Sequence, residues 1–285
     1  MRTRGSVLMK IAVIAPGMMG AAVAQRLHAC RATVAVTLEG RGAETAGRAA
    51  GLMQLPSEAA LAGWADVVLS ILPPGEALAL AQRLAPVLVP RGQAVIFADC
   101  NAVSPATVRD VAAVLPGIGF VDIGIIGGPP RGDDAGPRLY ASGEDAPRLS
   151  DLATRGIDYR IIPGGIGAAS ALKMGYAGIT KGITALGSAM ALGADRAGAA
   201  DALRAELAAS QPEVLRYLQR SVPDMFGKAY RWVAEMEEIS AFLGDIPAAP
   251  IYQGAARLYE HIAADQAAPD AAGAVAKLRA FYRRD

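Results

Sequence analysis

Lys173 is the residue of this sequence best suited to chemistry that moves a proton. It lies in the segment GGIGAASALKMGYAG (residues 164–178), where every other residue is small, apolar or a tyrosine. An ammonium group among such neighbours must reach water, find a partner or serve a reaction. Only five of the 28 basic residues are lysines, and arginine does not release its proton as lysine can. The choice of lysine predicts an acid/base role, and the alternative is a helix lysine whose stem covers apolar surface.

The composition argues against several other kinds of function. The formal net charge is +1 and no run of Lys and Arg stands out, whereas nucleic-acid binding leaves a basic footprint. Two cysteines far apart and two histidines offer little from which to build a metal site or a Ser/His/Asp triad. We therefore expect no metal and no nucleic-acid partner, and unpaired cysteines fit a reducing, cytoplasmic compartment.

The N-terminal segment has two interpretations. Basic residues before an apolar run are typical of a signal peptide, but Lys10 interrupts that run. The same residues fit a strand, a turn and a helix, which is the interpretation we adopt. No run approaches the ~18 to 20 uninterrupted apolar residues of a membrane-spanning helix, so we expect no membrane partner.

The two halves of the chain differ in their hydrophobic pattern. Up to about residue 162, short apolar runs alternate with helix-like segments, which is typical of βαβ units in a parallel sheet. The runs are LMKIAVIA (8–15), TVAVTL (33–38), DVVLSIL (66–72), AVIFADC (94–100) and GFVDIGII (119–126), with LYASG (139–143) and YRIIPG (159–164) as further candidates. After Gly167 only helices are indicated. We predict an α/β fold, with a Rossmann-type doubly wound parallel sheet in residues 1–165 and an all-helical domain in residues 166–285.

The segment KIAVIAPGMMGAAVAQRL is a candidate dinucleotide-binding unit. Its strand enters a tight turn that opens a helix, whose free N–H groups can hold a pyrophosphate. The pattern G-x-G-x-x-G is complete except at its first position, where Ala15 precedes Gly17 and Gly20. The alternative is a βα turn that binds nothing. The residues predicted to contact the cofactor, here and at the prolines that end a later strand, are Ala15, Gly17, Met18, Met19, Gly20, Leu72 and Pro73.

The end of the second strand bears on which nicotinamide cofactor binds. Glu39 stands nineteen residues after Gly20, where a carboxylate would bond the ribose hydroxyls of NAD. Arg41 could instead pair with the 2′-phosphate of NADP. We favour NADP over NAD, because an arginine in a loop before a helix makes a good phosphate clamp. The alternative for Arg41 is an ordinary surface charge.

Other strand ends carry residues suited to binding a substrate. ADCNAVSP offers Asn101 and Ser104 at the start of a helix, and DIGIIGGPPRG offers Gly127, Gly128 and Arg131. The glycine N–H groups could hold a carboxylate or a phosphate, and the arginine also favours an anion. Each segment alone is typical of an ordinary loop. Because parallel strands bring their carboxyl ends to one edge of the sheet, we expect these segments to meet in one crevice.

Several of these segments together resemble a known family. IAPGMMG, VVLSILPP, DCNAVSP, DIGIIGGPP, GIGAASALKMGYAGITKG and RWVAEMEEI cover most of the chain in family order. They are similar to the β-hydroxyacid dehydrogenases, related to 6-phosphogluconate and 3-hydroxyisobutyrate dehydrogenases, and more narrowly to the NAD(P)-dependent branch with a DUF1932-type C-terminal domain. The resemblance implies that Lys173 is the catalytic acid/base and that Asn101, Ser104, Gly127 and Gly128 bind the substrate.

The sequence departs from the wider family at three places. Ala15 replaces a glycine, and DCNAVSP replaces a Ser/Thr-rich segment. Tyr176 stands where many members carry Asn, three residues after Lys173 and on the same helical face, so we predict that it contacts the substrate. The identity of the hydroxy acid is therefore left open.

The helical half has features that bear on its packing. Lys181 is turned away from Lys173 along the helix and is expected to be a surface charge. In RWVAEMEEI, the apolar residues are expected in the core, while Arg231, Glu235 and Glu238 stand at ion-pair spacing. Four glycines of the Lys173 helix allow close approach of another helix, which suggests a homodimer: Gly175, Gly178, Gly182 and Gly187.

Together these features predict an NAD(P)-dependent oxidoreductase that transfers a hydride between a nicotinamide cofactor and a small anionic hydroxy acid. Oxidation of a secondary alcohol releases a hydroxyl proton, which a base must take up near neutral pH. Lys173 is the predicted base. The alternatives are an imine reductase-like enzyme, whose members generally lack the catalytic lysine, and a non-catalytic NAD(P)H-binding sensor.

Overall fold

The computed structural model describes residues 9–130 and 136–283. The chain divides into two units between Lys173 and Met174. The first unit contains a sheet with helices on both faces, and the second consists of helices. The predicted fold class is therefore confirmed.

The strands of the first unit are β1 Lys10–Ile14, β2 Thr33–Thr37, β3 Met53–Leu55, β4 Val67–Ser70, β5 Ile96–Asp99, β6 Gly119–Ile126, β7 Arg138–Ser142 and β8 Asp158–Ile161. Within the described residues they form one sheet in the order β3-β2-β1-β4-β5-β6-β7-β8. Every neighbouring pair is parallel except β6 and β7. The strand order reverses between β1 and β4, which is the switch point where open α/β sheets bind their ligands.

The helices of the first unit are α1 Met18–Ala29, α2 Ala43–Arg48, α3 Glu58–Trp64, α4 Ala77–Leu88 and α5 Pro105–Ala113, with short 3₁₀ segments at Pro74–Glu76, Val89–Ala94 and Ala146–Arg155. Apolar clusters lie on both faces of the sheet. One includes α1 and the 3₁₀ segment before β8, and the other includes α3, α4 and α5. Because both faces are covered, every residue of β4, β5 and β6 is buried, which explains their continuous apolar sequences.

Two details of the sheet differ from the predicted pattern. Strand β3 is only three residues long and largely exposed at the edge, so it gave no apolar run to recognise. Strand β7 is antiparallel to β6. Only a short connection joins these two strands, and a parallel pairing would need a crossover of a dozen or more residues.

The remaining helices are α6 Ala168–Arg196, α7 Ala200–Ser210, α8 Pro212–Met225, α9 Ala229–Leu243, α10 Ala249–Ala267 and α11 Ala274–Phe281. Helix α6 begins in the first unit, and from Met174 onward it belongs to the second. None of the helices in the described part of the chain is long and apolar enough to cross a membrane.

Tyrosines of the second unit hold the middle of α6. The hydroxyl of Tyr217 donates to the carbonyl of Thr180 (2.9 Å), and that of Tyr259 donates to the carbonyl of Lys181 (2.5 Å). Three of the four glycines proposed for contact with a second subunit instead face side chains of their own chain. A Cβ on Gly178 or Gly182 would contact Tyr252, and one on Gly187 would lie 2.5 Å from Leu218.

Lys181 is not the surface charge expected from the sequence. Its side chain is only 14% exposed, and its Nζ pairs with the carboxylate of Glu235 and lies 4.9 Å from the ring centroid of Trp232. Glu235 is similarly buried, so the two charges compensate each other away from water. Glu235 thus pairs with a lysine of α6, whereas pairing at helical spacing within RWVAEMEEI stays a prediction.

Candidate active site

The turn between β1 and α1 has the geometry of a pyrophosphate site. No side chain caps the start of α1, and its first turn contains no acidic residue. A Cβ on Gly17 would enter open space, whereas a Cβ on Gly20 would lie 2.0 Å from the carbonyl oxygen of Ala15. Gly20 therefore permits close packing of the helix on the turn, and Gly17 leaves the approach to the helix N–H groups open. These residues fit a dinucleotide cofactor.

Ala15 occupies the place of the first glycine without needing a left-handed backbone conformation. Its φ is not positive, and its methyl group is buried in the apolar cluster that includes α3 and α4. Its N–H donates to the carbonyl of Ile71 at 3.2 Å, which joins this turn to the end of β4. An alanine is therefore accommodated in this version of the turn.

The two residues proposed to distinguish NAD from NADP have different surroundings. One carboxylate oxygen of Glu39 accepts a hydrogen bond from the N–H of Glu58, the first residue of α3, at 3.0 Å. Arg41 is exposed, and within residues 9–130 and 136–283 its guanidinium has no ion-pair partner. Glu39 thus has a bond within the chain, while Arg41 is available to a ligand.

Asn101 joins the ends of β4 and β5. Its Oδ1 accepts from the N–H of Leu72 (2.6 Å), and its Nδ2 donates to Ser70 Oγ and to Asp99 Oδ2, both at 3.0 Å. The amide therefore fixes the segment that leads into Pro73, one of the predicted cofactor contacts. A direct substrate contact by Asn101 stays a prediction, since both ends of the amide already have protein partners.

Ser104 is placed by helix capping. It is buried, it precedes α5, and its Oγ accepts from the N–H of Thr107 at 3.2 Å. This bond satisfies one of the unpaired N–H groups at the helix start. The substrate contact implied for Ser104 also stays a prediction.

Asp99 is a buried carboxyl group beside this network. Burial raises its pKa to about 7, and the neighbouring Asp122 on β6 acts in the same direction. The hydrogen bonds from Asn101 oppose this shift. Asp99 is therefore able to hold a proton at a pH where an exposed aspartate is ionised. The adjacent Cys100 thiol has its pKa raised by burial and by both carboxyl groups, so it is not an activated nucleophile.

Lys173 lies on the second turn of α6, against the middle of β6. A Cβ on Gly124 would be 3.2 Å from the Cβ of Lys173, so helix and strand are in close contact there. The lysine is half-buried, and no ion pair or hydrogen bond of its Nζ occurs in the described part of the chain. Tyr176 follows three residues later in the second unit, with half of its surface exposed.

Gly127 and Gly128, the two glycines after β6, differ in how much space surrounds them. Gly127 has φ +123°, and a Cβ there would lie 3.1 Å from Pro137, so this position requires glycine. Gly128 is exposed with open space around it, which leaves its backbone accessible. Arg131 lies outside the described residues.

The sheet brings the predicted residues of the first unit to one edge. The turn at Gly17, the Leu72–Pro73 segment, Asn101 and Gly127 follow the carboxyl ends of β1, β4, β5 and β6, which are successive neighbours in the sheet. Asp122 is not among the residues predicted for the site, although a charged residue in the apolar run GFVDIGII indicates a buried group that needs partners.

Comparison with known proteins agrees with this geometry. Residues 10–149 match the family model described as the NAD binding domain of 6-phosphogluconate dehydrogenase, and residues 194–262 match a domain of unknown function, DUF1932. The chain therefore contains a segment similar to the NAD-binding domain of 6-phosphogluconate dehydrogenase, followed by a segment similar to DUF1932. It is an NAD(P)-binding protein of the oxidoreductase class. No curated protein matches the chain.

Several solved structures share the fold of this chain. The conserved protein MTH1747 of unknown function, described as structurally similar to 3-hydroxyacid dehydrogenases, is 28% identical over 90% of this chain and 99% of its own, with a TM-score of 0.69. The 3-hydroxyisobutyrate dehydrogenase of Mycobacterium tuberculosis, solved with L-serine, is 20% identical over 96% and 100%, with a TM-score of 0.70. The imine reductase of Myxococcus stipitatus, in complex with NADP⁺, is 17% identical over 96% and 100%, with a TM-score of 0.53.

Proposed function

We propose that this protein is an NADP-preferring oxidoreductase that acts on a small anionic hydroxy acid, with Lys173 as general acid/base. The observation that carries the proposal is the position of Lys173, packed on β6, a strand within the residues 10–149 that match the NAD-binding family model. The two cysteines are free thiols, which supports a cytoplasmic location.

The chemistry follows from the types of residue at the site. A nicotinamide cofactor held at the turn of Gly17 and Gly20 would supply the hydride chemistry of the reaction. The Lys173 amine takes the proton of the substrate hydroxyl in oxidation and returns it to the carbonyl oxygen in reduction. The backbone at Gly127 and Gly128 supplies N–H groups suited to a carboxylate. Asn101 keeps the Leu72–Pro73 segment in place beside the turn between β1 and α1, where the cofactor is proposed to bind.

Cofactor binding is the first test of this proposal. We expect the purified protein to bind NADPH at micromolar concentration and more tightly than NADH, as followed by nicotinamide fluorescence. Arg41→Ala should weaken NADPH binding by about 10- to 100-fold, since hydrogen bonds to a charged group contribute about 1.5–3 kcal/mol. NADH binding should stay within twofold.

Arg160→Ala is the matched control, because Arg160 is an exposed arginine on β8, at the other end of the sheet from β2. Equal loss of NADPH binding in both variants would contradict the role of Arg41. An unmutated protein that binds neither nucleotide would contradict the oxidoreductase proposal itself. Turnover of cyclic imines but not of hydroxy acids, in a panel containing both, would favour an imine reductase.

We also propose that the protein is a homodimer through α6. Four exposed apolar side chains follow one another at intervals of four, three and four residues, which is the spacing of a coiled-coil seam: Ile179, Ile183, Leu186 and Met190. Between Met174 and Ala194 the helix has one charged residue, Lys181, and that residue is paired within the second unit. An uncharged seam suits an identical helix related by two-fold symmetry.

Light scattering at micromolar protein tests the dimer. The unmutated chain should have about twice its monomer mass of 29.3 kDa. Ile183→Asp should shift the protein to monomer, because it would place a charge in the seam. The matched control is Ile251→Asp, since Ile251 is also an exposed isoleucine of a helix but lies on α10. A monomeric unmutated protein, or a dimer that survives Ile183→Asp, would contradict the proposal.

A further inference from the structure

We propose that Asp122 and Gly124 of β6 are positioning residues that fix where α6 holds Lys173. This inference rests on the proposed acid/base role of Lys173 and extends it from the lysine to the strand beneath it. Both residues lie on the same face of β6, because alternate residues of a strand point the same way.

Asp122 caps the N-terminus of α6, although it belongs to strand β6. Its Oδ2 accepts hydrogen bonds from the N–H groups of Gly167 (2.9 Å) and Ser170 (3.0 Å), and from Ser142 Oγ (3.2 Å). Its Oδ1 accepts from Ser170 Oγ at 2.7 Å. The side chain is fully buried. A helix start has unpaired N–H groups and partial positive charge, and a carboxylate at this place compensates both.

Ser142 of β7 completes the arrangement. Its Oγ accepts from the N–H of Ala169 at 3.0 Å while it donates to Asp122. The N–H groups of residues 167, 169 and 170 are therefore all bonded by side chains of the sheet. We refer to Asp122, Ser142 and Ser170 as the helix-start cluster. It ties the first turn of α6 to two neighbouring strands, one turn before Lys173.

Gly124 determines how closely the next turn approaches the sheet. A Cβ at this position would lie 2.6 Å from the carbonyl oxygen of Ala169 and 3.2 Å from the Cβ of Lys173. The first distance is shorter than real contacts allow, and the atom it meets is backbone, which cannot rotate away. A methyl group on Gly124 would therefore displace the turn that runs from Ala169 to Lys173.

The chemistry of the cluster requires a carboxylate. All four bonds to Asp122 come from donors, and they are shared between its two oxygens. An asparagine has only one acceptor oxygen, so its NH₂ group would face at least one donor. A displacement of about 1 Å can cost roughly 100-fold in rate when it misplaces a catalytic group. The helix-start cluster is therefore placed to influence turnover without contacting the substrate.

The first measurement is amide hydrogen exchange, which does not depend on activity. Asp122→Asn should accelerate exchange at residues 167–173 by tenfold or more, while the amides of β1 and β4 keep their protection. Ser170→Ala is the milder variant, because it removes only the bond to Oδ1, and it should show a smaller change in the same segment. The matched control is Ser188→Ala, since Ser188 is also a buried serine of α6 but donates to the carbonyl of Thr184 within the helix.

The second measurement is a double-mutant cycle on kcat. In the background that retains Lys173, we expect Gly124→Ala to lower kcat by roughly 100-fold and Ser170→Ala to lower it by a smaller factor. In a Lys173→Ala background, each should have less than a threefold effect, because a positioning residue acts only through the residue it positions. The Kd for NADPH should stay within twofold throughout. A merely structural role would lower kcat in both backgrounds.

The outcomes separate this inference from the proposed function. Unchanged exchange at residues 167–173 in Asp122→Asn and in Ser170→Ala would overturn the anchoring of α6. Altered exchange with equal rate losses in both backgrounds would overturn the positioning role. If Lys173→Ala itself turns over normally, the proposed acid/base role is wrong, and the positioning inference falls with it whatever the exchange result.

Discussion

Replacing Lys173 with alanine is expected to lower kcat by about 10²- to 10⁴-fold, the usual contribution of a positioned acid/base group. The Kd for NADPH should stay within twofold, because the turn that fits the cofactor lies at the start of α1. Lys173→Arg should be about as slow as the alanine variant, since arginine keeps the charge but does not release its proton at neutral pH. Steady-state kinetics together with nicotinamide fluorescence measure both quantities.

Lys228→Ala is the control for this comparison. Lys228 is a partly exposed lysine of the second unit whose Nζ pairs with Asp224 at 2.6 Å. Removal of this side chain should leave kcat within twofold of the value for the unmutated protein. Full turnover by Lys173→Ala would show that another group moves the proton. An active Lys173→Arg variant beside an inactive Lys173→Ala would show that the charge, rather than proton transfer, is what the reaction needs.

Gly20→Ala is expected to raise the Kd for NADPH by at least 100-fold. The added Cβ would lie 2.0 Å from the carbonyl oxygen of Ala15, a distance that real side chains do not reach, so α1 and the turn must move apart. That movement takes the first N–H groups of α1 away from the pyrophosphate. The nucleotide titration measures the loss.

Gly63→Ala is the matched control in the same unit. Its Cβ would lie 3.7 Å from Val87, which is an ordinary contact, and alanine favours the helix it joins. The fluorescence of Trp64 in a Trp232→Phe background reports separately on whether the first unit of each variant is folded. A folded Gly20→Ala variant with unchanged affinity would mean that the cofactor binds elsewhere.

The main elements of the sheet could be predicted because they are buried on both faces. β6 has eight consecutive buried residues, so its largely apolar sequence identifies it as a strand without any knowledge of the strands it pairs with. β3 could not be found this way, since Met53–Leu55 is short and mostly exposed and owes its conformation to pairing with β2. The direction of β7 depends on the connection from β6 rather than on the composition of either strand.

The site was predictable where one residue type is unusual and not where a pairing decides the role. Lys173 stands out because lysine is rare in this chain and its neighbours are small. Lys181 looked like a surface charge because its partner, Glu235, is 54 residues away in sequence. Asn101 is of a suitable type for a substrate contact, but its bonds to Leu72 and Asp99 show that it also fixes strand ends. Such bonds depend on tertiary structure and have no local signature.

The buried carboxyl group of Asp99 makes folding of the first unit a proton-uptake reaction. Its pKa rises from 3.8 to about 7 on folding, so between these values the folded unit holds a proton that the unfolded chain has released. Its contribution to stability is complete below about pH 4 and is lost as the pH rises through about 7. The difference is on the order of 4 kcal/mol across that range. β5, the strand that ends at Asp99, therefore makes the sheet more stable at acidic pH than at neutral pH.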